Sequence, residues 1–206
     1  MQLQLISAKE LAELFSLQVE LNAAYNMGGT PPICYALSAD REWSEFLDEC
    51  EGYWKFYATN PNTNREKALF ELVDCVHFII SQTLALDANA VLHVQGTAKN
   101  YFSELPDVAF GDIGCIDLGN VSKDDMLELI MSLKSQCLVN IPSMRKLADL
   151  SEFITLASNL IGYSIDEYMH AHRLKNRQNH RRATHKAETG DYGKANEKPL
   201  SLEDEL

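Results

Sequence analysis

An almost wholly apolar stretch, Leu72 to Ile80, carries Asp74 in its middle and Glu71 at its edge, and this placement limits the fold more than any other feature of the chain. Leu69, Leu72, Val73, Val76, Ile80 and Leu84 recur at the helical period and predict a helix buried along that stripe. Glu71, Asp74 and Phe78 fall on the opposite side, where the aromatic indicates that the acid face is covered too. Buried carboxylates do not stay ionised without a cation or hydrogen-bond donors. A second pair, Glu42 and Glu45, has the same i, i+3 spacing, which sets both carboxylates on one helix face. Such pairs are common on solvated faces; the apolar setting of Glu71 and Asp74 separates them from that background. Converging, the four acids form a site for a hard divalent ion, and their oxygen ligands suit magnesium.

The 206 residues, 46 % of them apolar, are enough for one sizeable core and short for two. No unbroken apolar run reaches membrane-spanning length, and Met1 to Leu5 lacks the basic and apolar regions of a signal peptide. Five widely spread cysteines with no C-x-x-C argue against a zinc site or a disulfide framework and for a reduced, cytoplasmic compartment. The net charge of −12 is uneven: residues 168–198 hold eight Lys/Arg against three acids, and the remainder holds ten against 27. So acidic a chain is repelled by nucleic acid and anionic membranes, and its basic segment suits a small anion or the protein's own acidic face.

The periodicity predicts an all-α fold. Helices are expected over about Ala8 to Tyr25, Ser38 to Tyr57, Glu66 to Leu86, Ser122 to Leu138, Pro142 to Gly162, and from Ser164 through the basic segment. Ser122-Lys123-Asp124-Asp125 and Ser164-Ile165-Asp166-Glu167 are capping boxes. Residues 88–121 have no sustained period and read as a long loop or insertion, with Ala90 to Val94 a candidate strand. One domain is expected over 1–194, and a disordered polar tail over 195–206.

Two further constellations stand out. Leu11, Leu14, Phe15, Gln18, Asn22 and Tyr25 form one stripe of the first helix, and two amides interrupt it. Buried amides need partners, which a neighbouring helix, water, an interface or the edge of a pyrimidine base can supply. On the basic helix, His172, Lys175, Asn179 and Arg182 share a face, with Tyr168 one turn earlier. That face suits phosphate oxygens, or an acidic surface beneath a solvated helix. Acids for Mg²⁺, cations for phosphates and amides for a base together make a template for cleaving a nucleoside triphosphate. No Gly-rich phosphate loop is present.

On these residues the chain resembles the dimeric all-α dUTPases of the all-α NTP pyrophosphatase group. The matching blocks are Gln18-x-x-Leu21-Asn22, Glu42-x-x-Glu45 with Leu47-Asp48 and Trp54-Lys55, Glu71-Leu72-Val73-Asp74-x-x-His77-Phe78, and Lys175-Asn176-x-x-Asn179-His180-x-Arg182 continued by Gly190-x-Tyr192-x-Lys194. The resemblance implies a helical bundle of that type, a homodimer, and Mg²⁺-dependent hydrolysis of dUTP to dUMP and pyrophosphate, with dUDP also accepted. It implies that Glu42, Glu45, Glu71 and Asp74 hold the ions and that Glu42 or Glu45 activates the water. Lys175, Asn179, Arg182, Tyr192 and Lys194 would hold phosphates; Gln18, Asn22 and Trp54 would bind the nucleoside. The chain departs from the family at His172, where Tyr is usual, at Ala183 in place of Gln, and at Lys186-Ala187 in place of Gly-Tyr. A dCTP or broader dNTP pyrophosphatase on the same scaffold is the nearest alternative reading. A non-catalytic helical module for nucleic acid is another, against which the intact acid quartet and the net charge stand.

Overall fold

The computed structural model describes residues 2–87, 115–117, 121–138, 144–191 and 197–205. Among them are six α-helices: α1 Ala8–Ala24, α2 Pro32–Glu49, α3 Arg65–Leu86, α4 Lys123–Cys137, α5 Met144–Leu160 and α6 Ile165–Thr189. The fold is all-α, as the periodicity predicts. One short antiparallel pair accompanies the helices, β1 Gln2–Gln4 with β2 Cys115–Asp117, in register Leu3 to Ile116.

The hub is α3. Leu69, Leu72, Val73, Val76, Ile79 and Ile80 are all fully buried, each contributing about 2 kcal/mol of burial free energy. That apolar surplus is what tolerates carboxylates on the half-buried acid face. By length and composition α3 would also cross a bilayer, a property the unbroken-run criterion misses; here it is mostly buried by protein. It packs against α1, α2, α5 and α6, while α4 packs against α5. α2 turns Tyr35, Ala39, Trp43 and Phe46 inward at helical spacing. Trp43 stacks on Phe46 with ring centroids 4.6 Å apart and meets Phe153 of α5 at 5.6 Å.

Local chemistry sets the helix ends. Ser7 with Glu10, Ser122 with Asp125 and Ser164 with Glu167 form reciprocal capping boxes on α1, α4 and α6. Asn64 caps α3 by accepting from the Lys67 backbone. α6 ends at Gly190, whose φ of 76° an L side chain rarely adopts.

α2 differs from its expected bounds. It begins at Pro32, which is preorganised for a first helical turn and lacks the N–H that would go unpaired there. It ends at Glu49 because Asn62 folds back over its C-terminus, donating to Asp48 O at 3.0 Å and to Glu49 Oε2 at 2.9 Å. Glu51–Tyr53 is a single 3₁₀ turn, so Trp54 and Lys55 lie beyond the helix. Most of the expected 88–121 loop, including the candidate strand, lies outside the described residues.

Residues 197–205, read in the sequence as part of a disordered tail, lie against α3 and α6. Leu200 and Leu202 pack on the core. Glu66 Oε1 accepts from Ser201 Oγ at 3.0 Å and from the Leu202 backbone at 2.7 Å, and the His170 ring meets Leu202 O at 3.2 Å.

Candidate active site

α2 and α3 bring three of the four expected acids together. One carboxylate oxygen from each of Glu42, Glu45 and Glu71 lies within 4.8 Å of the others, and all three side chains are half-buried. Glu45 is also met by Arg41 Nε at 2.9 Å, on the solvent side. Asp74, one turn along α3, turns to cations: Lys175 Nζ of α6 at 2.6 Å and His77 Nδ1 at 3.6 Å. The acids therefore have unlike electrostatics. Burial, then the charges of Asp74, Glu45 and Glu71, push Glu42 up to about 7. Burial and Asp74 likewise raise Glu71. Burial also works to raise Asp74, but the His77 hydrogen bond and Lys175 outweigh it and hold that carboxyl below its usual range. A knot of half-buried oxygens short of positive charge fits a hard divalent ion.

Beside the acids a cavity of about 270 Å³ is lined by Gln18, Asn22, Tyr25, Glu42, Asp74, His77, Phe78, Ser81, Asn179, Arg182 and Lys186, with Leu21 and Met27. Glu42 and Asp74 thus share a wall with both amides of α1 and with the basic helix. The amides are ordered: Gln18 Nε2 donates to Asn22 Oδ1 and to Ser81 Oγ, each at 2.9 Å. At the other end Asn179 Oδ1 accepts from Arg182 Nη1 at 3.2 Å, and Tyr25 donates to the Asn179 backbone oxygen at 3.0 Å. The Arg182 guanidinium is held by Glu197 Oε2, at 2.8 Å from Nε and 2.5 Å from Nη2. A second cleft, about 520 Å³, runs from Glu71, Lys175 and Arg182 to Lys67, Glu197 and Lys198. A larger groove of about 690 Å³ lies apart from these groups, between β1 and the start of α6.

The expected site residues thus divide. Glu42, Glu71, Asp74, Lys175, Asn179, Arg182, Gln18 and Asn22 line two adjoining clefts, and Glu45 meets Glu42 and Glu71 beside them. Tyr192 and Lys194 lie outside the described residues. Trp54 is not among the residues lining the cavity; its Nε1 donates to Leu47 O at 2.9 Å, with Lys55 Nζ 5.7 Å from its ring. His172 and Tyr168, expected on the basic face, are fully buried. Burial drives His172 well below the usual histidine range, and its ring stands 4.4 Å from His77 and accepts contact from Tyr168 at 3.4 Å. A neutral core imidazole carries no charge to a phosphate. The sequence reading missed two groups. Ser81 lies one helical turn beyond His77 and Phe78 and two beyond Asp74, a repeat visible in the sequence. Glu197, in the presumed tail, had no signal.

A family model described as dUTPase matches residues 10–186. No curated protein matches the chain, and no solved structure does.

Proposed function

Because the chain belongs to the dUTPase family and is a dUTP diphosphatase, we propose that this cleft is where dUTP is bound and cleaved to dUMP and pyrophosphate, with Mg²⁺ required and dUDP also accepted. The observation that carries the assignment is the junction of the three glutamates with the amide-lined cavity, through Glu42 on one side and Asp74 with Lys175 on the other.

Glu42, Glu45, Glu71 and Asp74 would hold the metal, which when bound supplies polyphosphate charge neutralisation and a water of lowered pKa. Of these, Glu42 or Glu45 takes the proton from the attacking water, a task within reach of a carboxylate once a bound metal has lowered that water's pKa. Lys175, Asn179 and Arg182, joined by Tyr192 and Lys194, hold the phosphates. Lys175 sits 2.6 Å from Asp74, so it can balance charge on the acid side and the phosphate side in turn. Gln18 and Asn22 meet the base edge, and Phe78 offers an apolar wall to the sugar or ring.

A homodimer is part of the proposal. Ile33 and Leu37 on one face of α2, and Trp54, Phe56 and Tyr57 beyond it, are exposed large apolar side chains of the kind an interface covers. Free Cys34, Cys50, Cys75 and Cys137 support a reducing, cytoplasmic location.

The deciding experiment is pyrophosphate release from a panel of nucleoside triphosphates with Mg²⁺ and with chelator. Release from dUTP that vanishes on chelation is expected. Chelator-resistant release would refute the metal role, and equal rates across the panel would refute base reading by Gln18 and Asn22.

A further inference from the structure

Residues 197–205 belong to none of the motifs, yet they reach the proposed phosphate site. The segment is a folded turn. Ser201 donates its backbone N–H to Asp204 Oδ2 at 2.9 Å, Asp204 donates its own to Ser201 O at 3.0 Å, and Lys198 Nζ lies 3.4 Å from Asp204 Oδ1. Leu200 and Leu202 seat the turn on the core, and Glu66 at the start of α3 holds Ser201 and Leu202. Arg177 of α6 donates to the Glu205 backbone oxygen. Neither Ser201 nor Leu202 is among the residues lining the two clefts beside the acids.

The same segment sets a carboxylate where a phosphate oxygen is wanted. Glu197 Oε2 takes both Nε and Nη2 of Arg182, a fork through which a guanidinium grips phosphate, while Nη1 donates to Asn179. Side-chain exposure is 13 % for Arg182 and 27 % for Glu197, so water screens this pair less than an ion pair at the open surface. Arg182 lines both clefts, and Glu197 lines the second. A phosphate seeking that fork has to displace the carboxylate. A tethered carboxylate competes at the effective concentration its tether enforces, so the competition is set at the anchors as well as at Arg182. The anchors are slight: two half-buried leucines and a few part-buried hydrogen bonds, a docking that can open locally while the helices stay closed.

We infer that residues 197–205 are a self-inhibitory latch: docked on α3 and α6, they hold Glu197 on Arg182, and the phosphates of dUTP take Arg182 only as the segment lets go. A latch closed about nine times in ten raises the apparent dissociation constant about tenfold. It also keeps the Arg182 charge paired before substrate arrives. The inference rests on the phosphate role proposed above for Arg182.

The test loosens the latch from a distance. Leu202→Ser should lower the KM for dUTP about threefold to tenfold with kcat little changed, since neither cleft loses a residue. Damage to a merely structural segment would not tighten substrate binding, so an unchanged or raised KM would overturn the latch. Arg182→Gln separates the two claims. If it leaves the KM for dUTP at the wild-type value, the phosphate role of Arg182 is wrong and the latch falls with it. If it raises the KM while Leu202→Ser fails to lower it, the latch alone is wrong. A second measurement needs no variant. In wild-type protein, Mg²⁺ with a non-hydrolysable dUTP analogue should speed amide hydrogen exchange at Leu202 and Asp204, whose N–H groups are bonded to Glu66 and Ser201 in the docked turn. Slower or unchanged exchange there would mean that the segment stays docked on the complex, and would overturn the latch.

Discussion

The two ends of the cleft are prepared differently. At the base end Gln18, Asn22 and Ser81 bond to one another across α1 and α3. At the phosphate end the cations are already taken: Lys175 by Asp74 and Arg182 by Glu197. The base end has only to be met, whereas the phosphate end must exchange partners. The difference suits what each end would bind in the proposed assignment. A neutral base edge has a fixed hydrogen-bond pattern that preformed groups can match. A triphosphate brings several charges, and cations left bare and half-buried until it arrived would carry a desolvation cost of their own. Acids that stand in for phosphate remove that cost, and they compete with substrate as a result.

The largest effects should come from the acids where the two ends meet. Glu71→Gln and Asp74→Asn should each lower the turnover of dUTP about a hundredfold or more. Their stabilities should then part. Glu71 is raised by burial and by Asp74, so Glu71→Gln should melt no lower than wild type without metal. Asp74 is held below its usual range, and Asp74→Asn leaves Lys175 without its partner, at a cost on the order of 3 kcal/mol seen by denaturant titration. Equal melting of the two variants would mean that the quartet is uniform after all.

Glu197→Gln should act on the phosphate end alone. Freed of that carboxylate, Arg182 should bind phosphate more readily, lowering the KM for dUTP about threefold to tenfold with kcat little changed. A raised KM would show that Glu197 orients Arg182 and does not compete for it.

Glu42 gives a smaller, pH-dependent effect. A carboxyl raised from 4.5 to about 7 loses nothing while protonated in both folded and unfolded chains. Between those values the unfolded chain ionises first, so the metal-free protein loses stability as pH climbs through that window. Mg²⁺ needs the ionised form, so its stabilisation in thermal melts should be large at pH 8 and fade below about 7. A magnesium shift that is the same at about pH 5.5 and about pH 8 would contradict the setting given to Glu42.

What the sequence makes legible is local. The serine boxes of α4 and α6 give their starts to within a residue or two, and the apolar stripe of α3 gives both its existence and its acid face. Helical spacing places Glu42 with Glu45 and Gln18 with Asn22 because those pairs share a helix. It does not say what faces them from another helix. Whether Asp74 joins the three glutamates or meets Lys175 depends on how α3 and α6 pack, and residues about a hundred apart in the chain carry no period in common. Ser81 has the same limitation: its register on α3 is visible, but its partners are on α1. Glu197 sits in a polar segment with no period at all, and only Leu200 and Leu202 hint at an anchored stretch. The early end of α2 likewise comes from Asn62, a residue beyond the helix, so Trp54 falls outside the face its spacing would give it.

The central claim is that one cleft, read by amides at one end and by exchanged ion pairs at the other, holds dUTP. A crystal structure with Mg²⁺ and a non-hydrolysable dUTP analogue tests it most directly. The account predicts the uracil edge against Gln18 and Asn22 with their bonds to Ser81 intact, the metal among the glutamates with Asp74, and Glu197 displaced from Arg182 by phosphate oxygens. A nucleotide bound away from Gln18 and Asn22, or a triphosphate that leaves the Arg182–Glu197 pair in place, would contradict it.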